Sequence, residues 1–253
     1  MKIAVPDHPL YAPILGNVDD VCQRLGWTLI RASEPECSRL LLANMVDMAL
    51  VSPIGYGMGV TLVDYRIIAG PCVQLHDYTN VVGMSFAEHL TGIDSVSSPT
   101  PNDFLVRIGA IVLAEKFDVE VPALSQGTGD CTIAYVGETD HPAMDVSEEW
   151  YDLTEEALVA GLWACRVEAD VDTVEDAVRL IAGSPPAERP IGENVPAEGD
   201  HFPREGRITY VWNEDTEEAM ETTMQILFFH QVFTDLPAVK LFGRDPWGES
   251  SES

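Results

Sequence analysis

Ser97, Ser98, Thr100 and Asn102 fall within six residues, just ahead of an apolar stretch that runs to Phe117. Hydroxyls and exposed main-chain N–H groups at the start of a helix can hold a carboxylate without any formal positive charge. Ser98 and Thr100 are the leading candidates for such contacts, with Ser97 beside them. Serine and threonine in this position also serve as plain helix caps, and the spacing leaves that alternative open.

Other residues could act with them. Ser52 follows an apolar strand-like run, and Pro53 and Gly55 would turn the chain there and point its hydroxyl outward. Gly137, Glu138 and Thr139 follow a second such run; Thr139 offers a hydroxyl and an N–H, and Glu138 offers a base or a turn cap. His8 sits in the loop after the first strand, where an imidazole could donate a hydrogen bond or act as a general base. His8 and Glu138 are thus the candidate catalytic groups.

Several chemistries find no support in the residues. The five cysteines, Cys22, Cys37, Cys72, Cys131 and Cys165, are scattered in apolar contexts without metal-ligand or redox spacing, and read as buried thiols in a reducing compartment. No glycine-rich phosphate loop lies between a strand and a helix, and no Gly-x-Ser-x-Gly elbow is present. No metal and no cofactor is expected. The formal net charge of −28, from 42 acidic against 14 basic side chains, disfavours nucleic acid and anionic membrane as partners. The acidic runs read as solvated surface. The first residues lack a secretion-like apolar run and nothing later reaches membrane-spanning length, so a cytoplasmic protein is expected.

The elements that must position these groups alternate. Strand-like runs at residues 2–6, 27–32 and 48–52 enclose helical spacings at 18–25 and 36–44, a βαβαβ pattern that predicts a parallel sheet with ligands at its carboxyl edge. Extended segments follow at 66–73 and 80–86, then a short strand at 95–97 and a helix over 102–117. A strand at 131–136, a helix from an N-cap at Ser147, an apolar run at 158–166 and a helix at 173–182 repeat the α/β pattern. Residues 183–206 hold five prolines and four glycines and read as a crossover loop, and 216–233 as an amphipathic helix. The expected division is residues 1–76 for the first lobe, 77–183 for the second, and 184–253 for the crossover and return.

Five segments in this order resemble the chorismate dehydratase family of menaquinone biosynthesis. They are LLANMVDMALVSPIGYG, ending at Gly57; DSVSSPTPNDFLVRIGAIVLAEKF, residues 94–117; IAYVGETD, residues 133–140; MDVSEEWYDLTEEALVAGLW, residues 144–163; and RITYVWNEDTEEAMETTMQILFFHQVFTDLPAVKLF, residues 207–242. The resemblance implies a two-lobed type II periplasmic-binding-protein-like α/β fold, each lobe a mostly parallel sheet flanked by helices with the ligand cleft between lobes. It also implies a cofactor-free lyase that turns chorismate into 3-enolpyruvyl-benzoate, and it adds Tyr56, within the Ser-x-Ile-x-Tyr pattern, to the substrate contacts. The partner expected is a small anionic, chorismate-like carboxylate. One position departs: Leu10 stands where the family carries a substrate-binding Asn. A binding or sensory protein that performs no chemistry, and the sister enzyme acting on cyclic dehypoxanthinyl futalosine, remain the alternative readings.

Overall fold

The computed structural model describes residues 1–60, 62–118, 120, 123–138, 142–166, 171–193 and 203–243. In chain order the strands and helices are β1 (Lys2–Pro6), α1 (Val18–Leu25), β2 (Thr28–Ala32), α2 (Glu34–Leu42), β3 (Met48–Val51), α3 (Pro53–Val60), β4 (Tyr65–Asp77), β5 (Val82–Phe86) and β6 (Val96–Ser97). Then follow α4 (Phe104–Phe117), β7 (Cys131–Tyr135), β8 (Met144–Asp145), α5 (Val146–Thr154), β9 (Leu158–Arg166), α6 (Val171–Ala182), β10 (Glu188–Gly192), β11 (Glu205–Val211) and α7 (Glu214–Phe229). A 3-10 turn, Pro9–Ile14, follows β1.

The chain divides into two compact units, one of residues 1–73, 161–186 and 210–253, the other of residues 74–160 and 187–209. It therefore passes between them within β4, within β9, at 186–187 and within β11. Entry to the second unit lies within three residues of the expected boundary. The return does not: it falls at Gly161, because β9 is one continuous buried strand whose second half pairs with β3.

In the first unit β1 pairs in parallel with β2 and β3, while β3 pairs antiparallel with β9. β3 and eight of the nine residues of β9 are buried, the near-continuous apolar pattern of strands covered on both faces. α1 ends on Gly26 at φ 66°, and the Trp27 N–H returns to the Cys22 carbonyl at 2.8 Å, a left-handed stop that glycine adopts without steric cost.

α3 departs from the expected turn. Pro-Ile-Gly-Tyr-Gly-Met-Gly-Val has poor intrinsic helix propensity, yet Pro53 suits the first helical position and neighbours close on the glycines. A methyl group on Gly55 would collide with Ser38, one on Gly57 with the Phe233 ring, and one on Gly59 with the Tyr65 ring. Tertiary packing outweighs propensity here.

In the second unit β6 and β7 are parallel, but β5 pairs antiparallel with both β7 and β8. The mostly parallel sheet expected for this half is thus a mixed one, since β5 runs opposite to both its neighbours. Residues 183–206 are not merely loop: β10 and β11 form an antiparallel ladder from Glu188↔Thr209 to Gly192↔Glu205. Pro190 lies in β10, whose residues are mostly exposed and which ends the strand order, where a missing donor costs little. α4, apolar on nearly every face, is the central helix of this unit, buried from Phe104 to Ala114 except at Arg107.

Candidate functional site

The entrance to α4 gathers most of the residues expected in the second unit. Ser97 is fully buried, its Oγ 3.0 Å from Thr132 Oγ1 on β7, so it fastens β6 to β7 and offers no surface to a ligand. Ser98 is 1% exposed; its N–H donates to the Ser125 carbonyl at 2.9 Å and its Oγ accepts the Thr100 N–H at 3.1 Å. That local turn orients Thr100, whose Oγ1 is buried without a well-formed hydrogen bond. Ser98 and Thr100 therefore stand together just ahead of α4, as closely buried at their hydroxyls as Ser97, which ties β6 to β7.

Asp103 is the residue that reasoning from sequence misses. It occupies the N-cap of α4 with extended backbone, φ −70° and ψ 140°, but its carboxylate accepts no first-turn N–H. It is half-buried against Thr100 and close enough to feel the Glu138 charge. Burial is the main cause that lifts the Asp103 carboxyl above the usual carboxylate range; the Thr100 hydroxyl opposes this and Glu138 adds to it. No ion pair neutralises either acid among the described residues. The only signal in the sequence is an Asp directly before a helix, which ordinarily means a cap.

Glu138 and Gly137 are exposed in the turn after β7. Gly137 sits at φ 102°, which explains the glycine, and the Glu138 N–H closes the turn on the Tyr135 carbonyl at 3.0 Å. Thr139 lies outside the described residues.

The N-cap of α5 is Asp145 rather than the expected Ser147. Its Oδ1 accepts the N–H groups of Ser147 and Glu148 at 3.0 and 3.1 Å, its Oδ2 accepts that of Asn80 at 2.8 Å, and Ser147 Oγ lies 2.6 Å from Oδ1. Burial raises this carboxyl while those donors resist the rise, and the network is structural. It fixes the bend at Asp77 and Asn80, both at positive φ.

The first unit carries the remaining candidates. β1 and β3 are parallel neighbours, so His8 and Ser52 follow the carboxyl ends of adjacent strands, as expected. Ser52 is 1% exposed and caps α3, its Oγ accepting the Gly55 N–H at 3.3 Å. His8 Nδ1 accepts the Leu10 N–H at 3.2 Å, which in the neutral ring leaves the proton on Nε2. That bond occupies one ring nitrogen of His8 on its own loop. Tyr56 is corrected more sharply: it is fully buried, its hydroxyl donating to the Ala238 carbonyl and accepting the Lys240 N–H, both at 2.9 Å. Both capacities are spent on the chain, so Tyr56 fastens the C-terminal segment and touches no substrate.

A small cavity of about 130 Å³ lined by Val112, Lys116, Glu149, Asp152 and Leu153 lies at the far end of α4 and contains none of these residues. All five cysteines are buried, and burial pushes the thiols of Cys37, Cys131 and Cys165 up to about 12, which leaves them unreactive. No group of three or more His, Cys, Asp or Glu side chains among the described residues could hold a metal ion, and no described helix is long and apolar enough to cross a membrane.

The chain matches no protein-family model and no curated protein. Similarity appears at the level of structure. A protein of Archaeoglobus fulgidus shares 14% identity over 71% of this chain and 74% of its own, with a TM-score of 0.55. The alkanesulfonate-binding protein of Xanthomonas axonopodis pv. citri, bound to MOPS, covers 94% of this chain and 96% of its own at 8% identity and a TM-score of 0.54. An ABC transporter protein of Parabacteroides distasonis covers 96% and 98% at 10% identity and a TM-score of 0.59. At such identities the likeness shows the fold, a two-lobed periplasmic-binding-protein-like α/β architecture.

Proposed function

We propose that this chain binds a small cyclic organic carboxylate and dehydrates it, with chorismate as the substrate and 3-enolpyruvyl-benzoate as the product. The observation that carries the reading is the entrance to α4. Two hydroxyls, Ser98 and Thr100, are held by a local turn at a helix start whose N-cap carboxylate does not occupy the first-turn amides. Such a place suits one carboxylate of the substrate. The binding-protein-like fold is consistent with ligand capture, and the five segments resembling chorismate dehydratases supply the reaction.

Chorismate gains aromaticity on losing water, so the protein needs to orient the ring, hold its carboxylates and move one proton. Leu10 has no polar side chain to offer where chorismate dehydratases carry an Asn. His8, two residues away along the chain, is the proposed stand-in for that amide.

The test incubates the purified protein with chorismate and follows both compounds by chromatography. Turnover that falls at least tenfold in Thr100→Ala, with the fold intact by circular dichroism, supports the proposal. Absence of turnover overturns it. A second reading, capture of an organic anion without chemistry, is favoured by the likeness to a protein that binds an alkanesulfonate. A thermal shift with benzoates or sulfonates and no turnover would select it.

A further inference from the structure

We propose that Tyr11, seated on Gly161, is a positioning residue that holds the His8 imidazole at the carboxyl edge of the first-unit sheet, where His8 meets the ligand. The ligand itself rests on the reading above; the two positions and the contact that links them to His8 are additional to it.

The arrangement follows from the order His-Pro-Leu-Tyr at residues 8–11. A residue before proline is driven to extended backbone, and His8 has φ −139° and ψ 138°. Pro9 then opens the 3-10 turn, in which residues three apart stand one above the other. His8 and Tyr11 are such a pair. The Tyr11 N–H donates to the His8 carbonyl at 3.1 Å, and the two rings meet edge to face with centroids 6.3 Å apart and planes at 71°. The Leu10 N–H, bound to Nδ1, gives the imidazole a second hold.

The turn also decides which side chain leaves the core. Leu10 and Tyr11 are 6% and 2% exposed, whereas His8 is half-buried. An Asn at position 10 would therefore be directed into the core and not toward a ligand. Tyr11 can sink this deep because of Gly161. In the β3–β9 ladder Val51 pairs with Leu162, so the next step brings Gly161 alongside Ser52. A Cβ at position 161 would lie 2.6 Å from Cε1 and 3.2 Å from Cδ1 of the Tyr11 ring. Gly161 lies within a regular strand, so glycine is required there for room and not for backbone freedom. Position 161 thus sets where Tyr11 lies, and Tyr11 sets where His8 lies.

The test uses the full chain and three readouts per folded molecule: chorismate turnover, the thermal shift with 3-hydroxybenzoate, and the proton NMR signals of the His8 ring. Tyr11→Leu and Gly161→Ala should both move the His8 signals, because the Tyr11 ring current is withdrawn or displaced, and Tyr11→Phe should keep them. His8→Ala and Tyr11→Leu should each lower turnover about tenfold, the worth of one hydrogen bond, and the double variant should fall no further than either. Adding Leu10→Asn to His8→Ala should restore nothing. Should Gly161→Ala fail to fold, Tyr11→Leu decides. Unmoved His8 signals in Tyr11→Leu, losses that add in the double variant, or recovery through Leu10→Asn each overturn the inference. An inactive wild type overturns the dehydration alone: a benzoate shift lost in both His8→Ala and Tyr11→Leu then supports the positioning role, and one kept in both overturns it. A wild type that neither turns over chorismate nor responds to 3-hydroxybenzoate overturns both.

Discussion

The guanidinium of Arg204 lies 4.5 Å from the centroid of the Tyr78 ring, between two carboxylates: Glu193 at 2.9 Å and Glu148 at 3.3 Å. Planar stacking and a fork of donors are an arginine's geometry, and a lysine ammonium cannot supply both. The cluster joins α5 to the ends of the β10–β11 ladder. Burial raises the Glu148 carboxyl and Arg204 holds it down.

Arg204→Ala should cost about 1–3 kcal/mol in denaturant unfolding at neutral pH, since it removes the stacked cation and leaves two facing acids. The loss should be smaller at acidic pH, where the Glu148 carboxyl, raised by burial, takes up a proton. Arg204→Lys should recover less than half, and equal stability of the lysine variant would refute the stacking argument.

Tyr56→Phe removes a donor and an acceptor from the Ala238 and Lys240 backbone. A loss of about 1–3 kcal/mol is expected, together with unchanged chorismate turnover per folded molecule. A selective fall in kcat with stability unchanged would return Tyr56 to the substrate contacts.

Asp145→Ala should be among the most damaging single changes in the second unit, at about 2–4 kcal/mol, because it uncaps α5 and strands the part-buried N–H of Asn80. Hydrogen exchange at Asn80 and Ser147 should accelerate together; protection that persists would show that the network is dispensable.

Asp103→Asn should stabilise the protein at pH 7. The folded carboxyl titrates above its unfolded value, so the unfolded chain releases its proton first as pH rises, and stability is lost between those two values. The variant cannot ionise and avoids this loss. Its melting temperature should exceed that of wild type at pH 7 and converge on it near pH 4. A variant less stable than wild type at pH 7 would contradict the burial argument.

The net charge of −28 implies strong self-repulsion at low salt. Raising KCl from ~0.1 M to ~1 M shortens the screening length from about 10 Å to about 3 Å, so the melting temperature should rise and the affinity for an anionic ligand should strengthen. Ordinary surface ion pairing would predict the opposite trend.

The legible parts of the fold are those whose patterns are local. The spacing of Val18, Val21 and Cys22 marks α1, and the unbroken apolar run through Trp163 marks β9, because burial writes itself directly into residue type. α3 reads as a turn, since what makes it a helix is the distant pressure of Ser38, Phe233 and Tyr65 on three glycines. β10 hides among prolines because an edge strand tolerates what a central strand does not. At the site, Ser98 and Thr100 are found from their side chains alone. Asp103 escapes notice because an Asp before a helix looks the same whether or not it caps, and only the direction of its carboxylate distinguishes the two.

The crowding around α3 restricts how this protein could be improved. Replacing Gly55, Gly57 or Gly59 with alanine is the standard remedy for a weak helix, yet each added methyl would strike a neighbour and push the segment off its seat. The aim of the Ser52 hydroxyl is then set by lack of room, so selection for a sturdier helix would be paid in the alignment of the residue that caps it.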